Sequence, residues 1–312
     1  MDKSLKALRP LKHAIANFQM SLELSLKLFH ALIEPIAMYN VENWSTLSDK
    51  QLANLSSGTL LSLIDKAPLD VLHRKILRYT LGVNKSTPNI AIYGDTGETP
   101  LTIKAFTLLV NFWYHLNMLP EHSLAHLALK EHIKMRTNWL KTVEKTINVF
   151  NLAEHTHNPA FKHISKKFRR EVYRTKWTES LSTNDQSRVK FYKQINSELQ
   201  PASYTLLPYH QRKVIAKLRC SSLVLEVEKG RHKKSPSDTR TCKLCNQNAI
   251  EDENHFLTSC QTYTTLRERH GYCHKTSKEI IQDDDQKNLS IFLLRAFKIR
   301  LKSLERKIVS AL

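Results

Sequence analysis

The chain has almost no glycine. Six of its 312 residues are Gly, about 2% against roughly 7% in average proteins, and none falls between Gly97 and Gly230. Sheets joined by tight hairpins need residues at positive φ, which glycine supplies most cheaply. So few glycines predict a mainly α fold, helices joined by short connections. Nine of the ten prolines (Pro35, Pro68, Pro88, Pro100, Pro120, Pro159, Pro201, Pro208 and Pro236) fall between periodic stretches, as helix breakers do.

The periodicity fills in the elements. Leu22, Leu26, Phe29 and Ile33 share one helical face that Pro35 ends, and Ser48 or Asp49 caps a short helix through Leu55. Asp70 is expected to start a helix carrying Val71, Leu72, Ile76, Leu77 and Tyr79, stopped by Gly82. Residues 86–97 read as a turn-rich link, and Pro100 opens an apolar helix through Leu119 containing Phe106, Leu109, Val110 and Trp113. Further helices are expected over 122–135, 138–152, 160–180, 186–199 and 208–220, a short extended piece over 222–227, and a basic Ser/Pro linker over 229–240. A last helix starts near Leu289, alternates Ile291, Phe292, Leu294, Phe297 and Leu301 with Arg295, Lys298, Arg300, Lys302, Arg306 and Lys307, and is expected to dock on the rest of the protein. Asp283, Asp284 and Asp285 read as its acidic N-terminal cap, because polar Gln282, Gln286, Lys287 and Asn288 flank them where a catalytic magnesium pair would sit in an apolar hairpin.

Charge narrows the partners. Lys plus Arg number 48 and Asp plus Glu 29, a net +19 that attracts polyanions. No apolar run is long enough for a membrane span, and the first twenty residues interleave Lys3, Lys6, Arg9 and Lys12 with apolar residues instead of forming a signal sequence. The expectation is an intracellular protein, nuclear or cytoplasmic, with no membrane partner.

Four of the five cysteines lie between Cys242 and Cys273, which suits a metal in a reducing compartment better than a disulfide framework. The spacing Cys242-x2-Cys245-x9-His255-x4-Cys260 predicts one structural zinc: a C-x2-C turn brings two thiolates to one ion, and the downstream His and Cys close the tetrahedron. Three thiolates with Zn²⁺ lower the net charge from +19 to about +18, so the protein stays basic. Cys273, His270 or His274 could replace His255 or Cys260, and chance spacing of buried thiols is the competing reading. Cys220 reads as a small buried residue. Glu251, Asp252 and Glu253 either orient the His255 ring or form a solvated acidic turn, the simpler reading, while Phe256 and Leu257 cover the metal.

Residues 161–177 interleave Lys162, Lys166, Lys167, Arg169, Arg170, Arg174 and Lys176 with Phe161, Phe168, Tyr173 and Trp177. The cations suit phosphates; the aromatics either stack on unpaired bases or are the core side of an amphipathic helix. Lys233 and Lys234 in the linker and Lys243 in the cysteine cluster are further candidate phosphate contacts. Walker A, GxGxxG, HExxH and GxSxG motifs are absent, and no acid/base or nucleophile constellation stands out, so no catalytic residue is predicted.

Three stretches resemble the C-terminal part of LINE-type (non-LTR) retrotransposon reverse transcriptases. Leu28 to Trp44 (LFHALIEPIAMYNVENW) resembles the LFxxLVxPxLLYGxExW segment that follows the palm, and Leu81 to Asp95 (LGVNKSTPNIAIYGD) the LGVxKSTPNxAVYGE block. Leu218 to Leu223, Gly230-Arg231 and Arg240 to Tyr263 resemble the zinc knuckle LRxSxxxLxxxxGR…RxCxxC…EDExHFLxxCPxY. The match spans roughly 5–270, with Asn40 in place of Gly and Gln261 in place of Pro. It implies a thumb-like helical region over 1–97, a basic helical connector over 98–220, a linker over 221–240, a CCHC knuckle over 241–272 and a C-terminal basic helix over 273–312. It implies the ligands Cys242, Cys245, His255 and Cys260, with Arg219, Arg231 and Arg240 as flanking basic positions. The family's endonuclease, fingers and palm have no counterpart in the matched stretch, so the expectation is a non-catalytic segment that binds RNA, single-stranded DNA or target DNA, with a full-length reverse transcriptase as a further candidate partner. The alternative is a protein-interaction element or relic that packs on a separate reverse-transcriptase core.

Overall fold

A computed structural model describes residues 2–56 and 58–309, with the side chains of 306–309, Arg306 and Lys307 among them, outside that description. The described residues form eighteen α-helices and no strand, only isolated bridges pairing Thr96 with Pro201 and Thr241 with Ile250. The first nine helices are α1 (Asp2–Asn17), α2 (Leu22–Leu32), α3 (Glu34–Ala37), α4 (Val41–Trp44), α5 (Asp49–Asn54), α6 (Leu60–Lys66), α7 (Pro68–Leu81), α8 (Asn89–Thr96) and α9 (Leu101–Asn117). The others are α10 (Leu124–Met135), α11 (Asn138–Val149), α12 (Phe161–Thr183), α13 (Ser187–Ile195), α14 (Tyr209–Arg219), α15 (Glu226–Lys233), α16 (Thr264–His270), α17 (Ser277–Ile281) and α18 (Gln286–Val309). Among the described residues no helix is long and apolar enough to cross a membrane.

Side-chain caps set several of the boundaries. Ser48 forms a capping box with Gln51 on α5, and Thr276 does the same with Glu279 on α17. Asp285 accepts from Asn288 N at 2.8 Å and so caps α18, which begins at Gln286, one turn before Leu289. Three expectations are corrected. Residues 86–97 hold α8: the apparent turn residues are its ends, Pro88 at the N-cap and Gly97 at φ 67° after the last turn. Residues 222–227 form no strand, because nothing offers a ladder to pair with; Leu225 is extended only as the N-cap of α15. That helix also occupies much of the expected linker, as far as Lys233.

The chain divides into two units that interleave along the sequence. One comprises the N-terminal stretch to Arg9, Leu28–Lys75 and Glu98–Ser180; the other comprises Pro10–Lys27, Ile76–Gly97 and the chain from Leu181 on.

The first unit is built on α9, whose Leu101, Ile103, Phe106, Leu109 and Val110 are buried, with α4, α10 and α11 packed against it. Each such side chain contributes about 1.5–3 kcal/mol by leaving water. Asp70 does not start α7, which begins at Pro68; it is buried and its carboxylate accepts from Leu101 N (2.7 Å) and Thr102 N (3.2 Å), satisfying the open end of α9. Beside it, His30 lies 2.5 Å from Glu34 and 3.3 Å from Glu98, and buried His73 lies 3.5 Å from Glu98. Lys104 donates to Glu34 from the other side. Burial opposes charge on His30, but the two carboxylates outweigh it and raise its pKa to about 9; Glu98, against its own burial, is lowered to about 2 by the two histidines. The raised His30 contributes stability that is complete below its unfolded value of 6.5 and lost as pH rises through 9; the depressed Glu98 contributes stability complete above 4.5 and lost as pH falls through 2. Urea midpoints should therefore fall between pH 7 and 10 in the wild type, and His30→Gln should flatten that limb. An unchanged limb in the variant would mean that His30 is not its source.

In the second unit α14 and α18 pack together, burying Val214, Ile215, Ala216 and Leu218 against Leu289, Phe292, Leu293 and Ala296. Fully buried Asp95 accepts from Arg219 Nε (2.9 Å) and Nη2 (2.8 Å), Tyr192 Oη (2.9 Å) and Tyr204 Oη (2.6 Å). Nearby, Ser222 Oγ accepts from Asn84 N (3.0 Å) and Thr87 Oγ1 (3.3 Å). These bonds tie residues 84–95 to 219–222.

Candidate metal centre

Cys242, Cys245, His255 and Cys260 converge in the second unit, all buried, with their ligand atoms within 4.8 Å of one another. Two local structures place them. The C-x2-C segment turns so that Leu244 N donates to Cys242 Sγ at 3.4 Å, and the antiparallel bridge between Thr241 and Ile250 closes the loop. Residues His255–Ser259 then form a π-helical turn in which Cys260 N reaches His255 O at 2.9 Å, presenting His255 and Cys260 together. Cys242 Sγ and Cys260 Sγ are 3.9 Å apart, and Cys245 Sγ lies 3.4 Å from His255 Nε2. A tetrahedral ion with bonds of about 2.3 Å to sulfur and about 2.05 Å to nitrogen has edges of roughly 3.8 and 3.6 Å. The four residues therefore fit a metal ion with little rearrangement. Hydrogen bonds from Cys260, His255 and the amides of Leu244 and Cys245 outweigh burial and hold the Cys242 thiol well below its ordinary range, while its partner Cys260 is pushed up.

The surroundings correct the reading of the acidic run. His255 Nδ1 meets Ser259 Oγ at 3.1 Å, so a serine, not a carboxylate, orients the ring. Asp252 accepts from His255 N at 2.8 Å. Glu251 and Glu253 are buried, not solvated. Glu251 lies 3.8 Å from Cys242 Sγ and is paired through both oxygens with Arg300 of α18, one of the two contacts being 2.9 Å. Burial pushes its carboxyl up, and Arg300 opposes that. Phe256 and Leu257 are buried as expected, and Phe256 stacks at 5.2 Å on Phe297 of α18. Glu226 N donates to Glu251 at 2.8 Å and its carboxylate accepts from Arg300 at 3.5 Å; sequence reasoning missed Ser259, Glu226 and Arg300. The signal for Arg300 was its place on the stripe of Leu289, Leu293 and Ala296; the alternation instead favoured Leu294 and Leu301, which are exposed.

The alternative ligands lie elsewhere: His270 Nδ1 bonds to Asn288 Oδ1 at 2.6 Å, and neither Cys273 nor His274 belongs to the cluster. Cys220 is buried beside Asp95, as a small core residue.

The basic residues separate into two sets. On α12 the side chains of Lys166, Lys167, Arg170 and Arg174 are exposed and, with His163 and Glu171, line a groove of about 390 Å³. Phe161, Tyr173 and Trp177 are core, and Phe168 packs edge-on against His155, so base stacking is not their role. Lys233 and Lys234 are exposed, as is Lys243, which pairs with Glu226 at 3.4 Å. The others are structural. Arg219 is buried on Asp95; buried Arg169 has a guanidinium pKa lowered by desolvation and by Arg170. Arg231 binds Glu228 (2.7 Å) and Ser187 O, and Arg240 donates to Ser235 O (2.6 Å) while its stem crosses Gly230.

Fold and site together define a mainly helical protein with a buried Cys3His cluster that can hold a metal ion. Among known proteins, no family model, no curated protein and no solved structure matches this chain.

Proposed function

We infer that the chain is a non-catalytic, nucleic-acid-binding segment of the LINE-type reverse-transcriptase kind, stiffened by one structural zinc. The observation that carries this reading is the α12 groove: four exposed cations on one side of a helix whose aromatic side is core. Such a surface holds a phosphate backbone and reads little sequence. Zinc is the ion that three thiolates and an imidazole favour, and four protein ligands leave no open position for chemistry. Two details agree with the resemblance. Asn40, where the family pattern carries Gly, has φ 55°, a region glycine enters freely and asparagine tolerates. The blocks quoted from the pattern, 81–95 and 218–223, bond to each other through Asp95 with Arg219 and Asn84 with Ser222.

The test is a salt titration of binding to an unstructured RNA. Wild type should lose affinity steeply with salt; Lys166→Glu with Arg170→Glu and Arg174→Glu should weaken it on the order of 10–100-fold near 0.1 M salt and flatten the slope. Salt-independent binding, or none below about 10 µM at low salt, would overturn the reading.

A further inference from the structure

A second surface, in the other unit, has the composition of a binding site and lies apart from both the α12 cations and the Cys3His cluster. Tyr79 of α7 and Tyr209 at the start of α14 are stacked, with ring centroids 6.1 Å apart and planes 21° from parallel. Both are half-buried and neither belongs to the core. Lys12 Nζ lies 5.3 Å from the Tyr79 centroid, and Lys213 Nζ 5.9 Å from that of Tyr209. Arg212 lies 5.6 Å from the Tyr209 centroid and is pinned in place by the carbonyls of Thr80, Leu207 and Met20.

The arrangement is built. Gly82 has φ +71°, and a Cβ there would meet Lys213 Cγ at 2.5 Å and its Cβ and Cδ at 2.9 Å. The missing side chain lets the lysine stem cross the end of α7. Gln19 Oε1 accepts from His210 N at 2.9 Å and fixes the start of α14 beside the α1–α2 connection.

The stretches that build this surface, 10–22, 76–94 and 199–225, contain no Asp or Glu, in a chain that has 29. Lys213 and Lys217 stand at i and i+4 on α14, a like-charge spacing that destabilises a helix. Partial burial and the Lys213 charge lower the Lys217 amine from its ordinary value. A bound anion would relieve that repulsion, and a stacked pair of tyrosines is a platform on which an unpaired base can lie.

We propose that Tyr79, Tyr209, Lys213 and Lys217 form a binding site for single-stranded nucleic acid, the rings taking a base and the lysines the flanking phosphates. This proposal rests on the nucleic-acid reading above and adds a contact that discriminates unpaired from paired strands, since only an unpaired base exposes its face.

The experiment measures anisotropy of labelled oligouridylate and of an RNA duplex on the full-length protein. It compares wild type, Tyr79→Leu with Tyr209→Leu, Tyr79→Phe with Tyr209→Phe, Lys213→Gln with Lys217→Gln, and the α12 charge-reversal variant. The leucine pair should weaken oligouridylate binding about tenfold or more and leave the duplex nearly unchanged, while the phenylalanine pair, which keeps both ring faces, should bind like wild type. The glutamine pair should lower the salt slope by about 1.4, two phosphates on a single strand. Because the glutamine pair lies on half-buried positions that tolerate a neutral side chain, it tests the site even if the leucine pair fails to fold. Wild-type binding by both the leucine and glutamine pairs, with affinity lost only in the α12 variant, overturns this proposal and leaves the broader reading standing. No binding by the wild type overturns both. Loss of binding to phosphatidylserine vesicles in the glutamine pair, with oligouridylate binding intact, assigns the surface to a membrane and overturns it too.

Discussion

Replacing Cys242 and Cys245 together by Ser should abolish metal binding and unfold the surroundings of the site. The wild type is expected to carry about one zinc per chain by elemental analysis, and the double variant none. Apparent binding energies of structural zinc run to about 10–16 kcal/mol at neutral pH, more than most domains have in total stability. The effect should reach beyond the ligands. Arg300 is buried against Glu251, which neighbours Cys242, and Phe297 is stacked on Phe256. Amides of 241–263 and of α18 should therefore exchange rapidly in the variant. If RNA affinity falls with the zinc, the knuckle takes part in binding; if it holds, binding belongs to α12 and its neighbours. A folded wild type without zinc would remove the metal from the account of the fold.

The second large effect should come from Asp95→Ala. Its carboxylate accepts four hydrogen bonds in a site closed to water, two of them from Arg219. Arg219 is buried, and Asp95 holds its guanidinium firmly in the charged state against burial. Removing one partner of a buried pair leaves an unpaired charge and costs about 3–5 kcal/mol, here with two tyrosine hydroxyls orphaned as well. Asp95→Asn should cost less than Ala, since the amide oxygen can still accept. Urea melts of the three proteins decide the point: an alanine variant within about 1 kcal/mol of wild type would mean that the pair is not a structural centre.

What could be read in advance follows from the range of the forces involved. Helices came through because their apolar stripes and caps are local: Ser48 and Asp285 act on their own first turns. The Cys3His cluster was legible because a C-x2-C turn, one His and one Cys fall within nineteen residues, Cys242 to Cys260. Roles that depend on distant partners were not. Asp70 has the sequence context of a cap for its own helix, yet it caps α9, 31 residues on. Arg219 has the look of a phosphate ligand until Asp95, 124 residues earlier, is placed beside it. Arg300 sits among solvated cations in the sequence, and its charge is buried where Glu251 and Glu226, distant in the chain, face it.

The same distances set an order of events for the newborn chain. Asp95 leaves the ribosome 124 residues ahead of Arg219, which at 5–20 residues per second is a wait of roughly 6–25 s. Glu251 in turn precedes Arg300 by 49 residues. The second unit draws on residues from Pro10 on, yet its interior carboxylates Asp95 and Glu251 stay unpaired until Arg219 and Arg300, respectively, have been made. Until Arg219 is made α8 has no counterion for Asp95, and until Arg300 is made the buried Glu251 beside Cys242 has none from α18. Synthesis that stops short of Arg300 should thus yield a chain with an unpaired carboxylate beside Cys242, a target for quality control rather than a shorter working version of the protein.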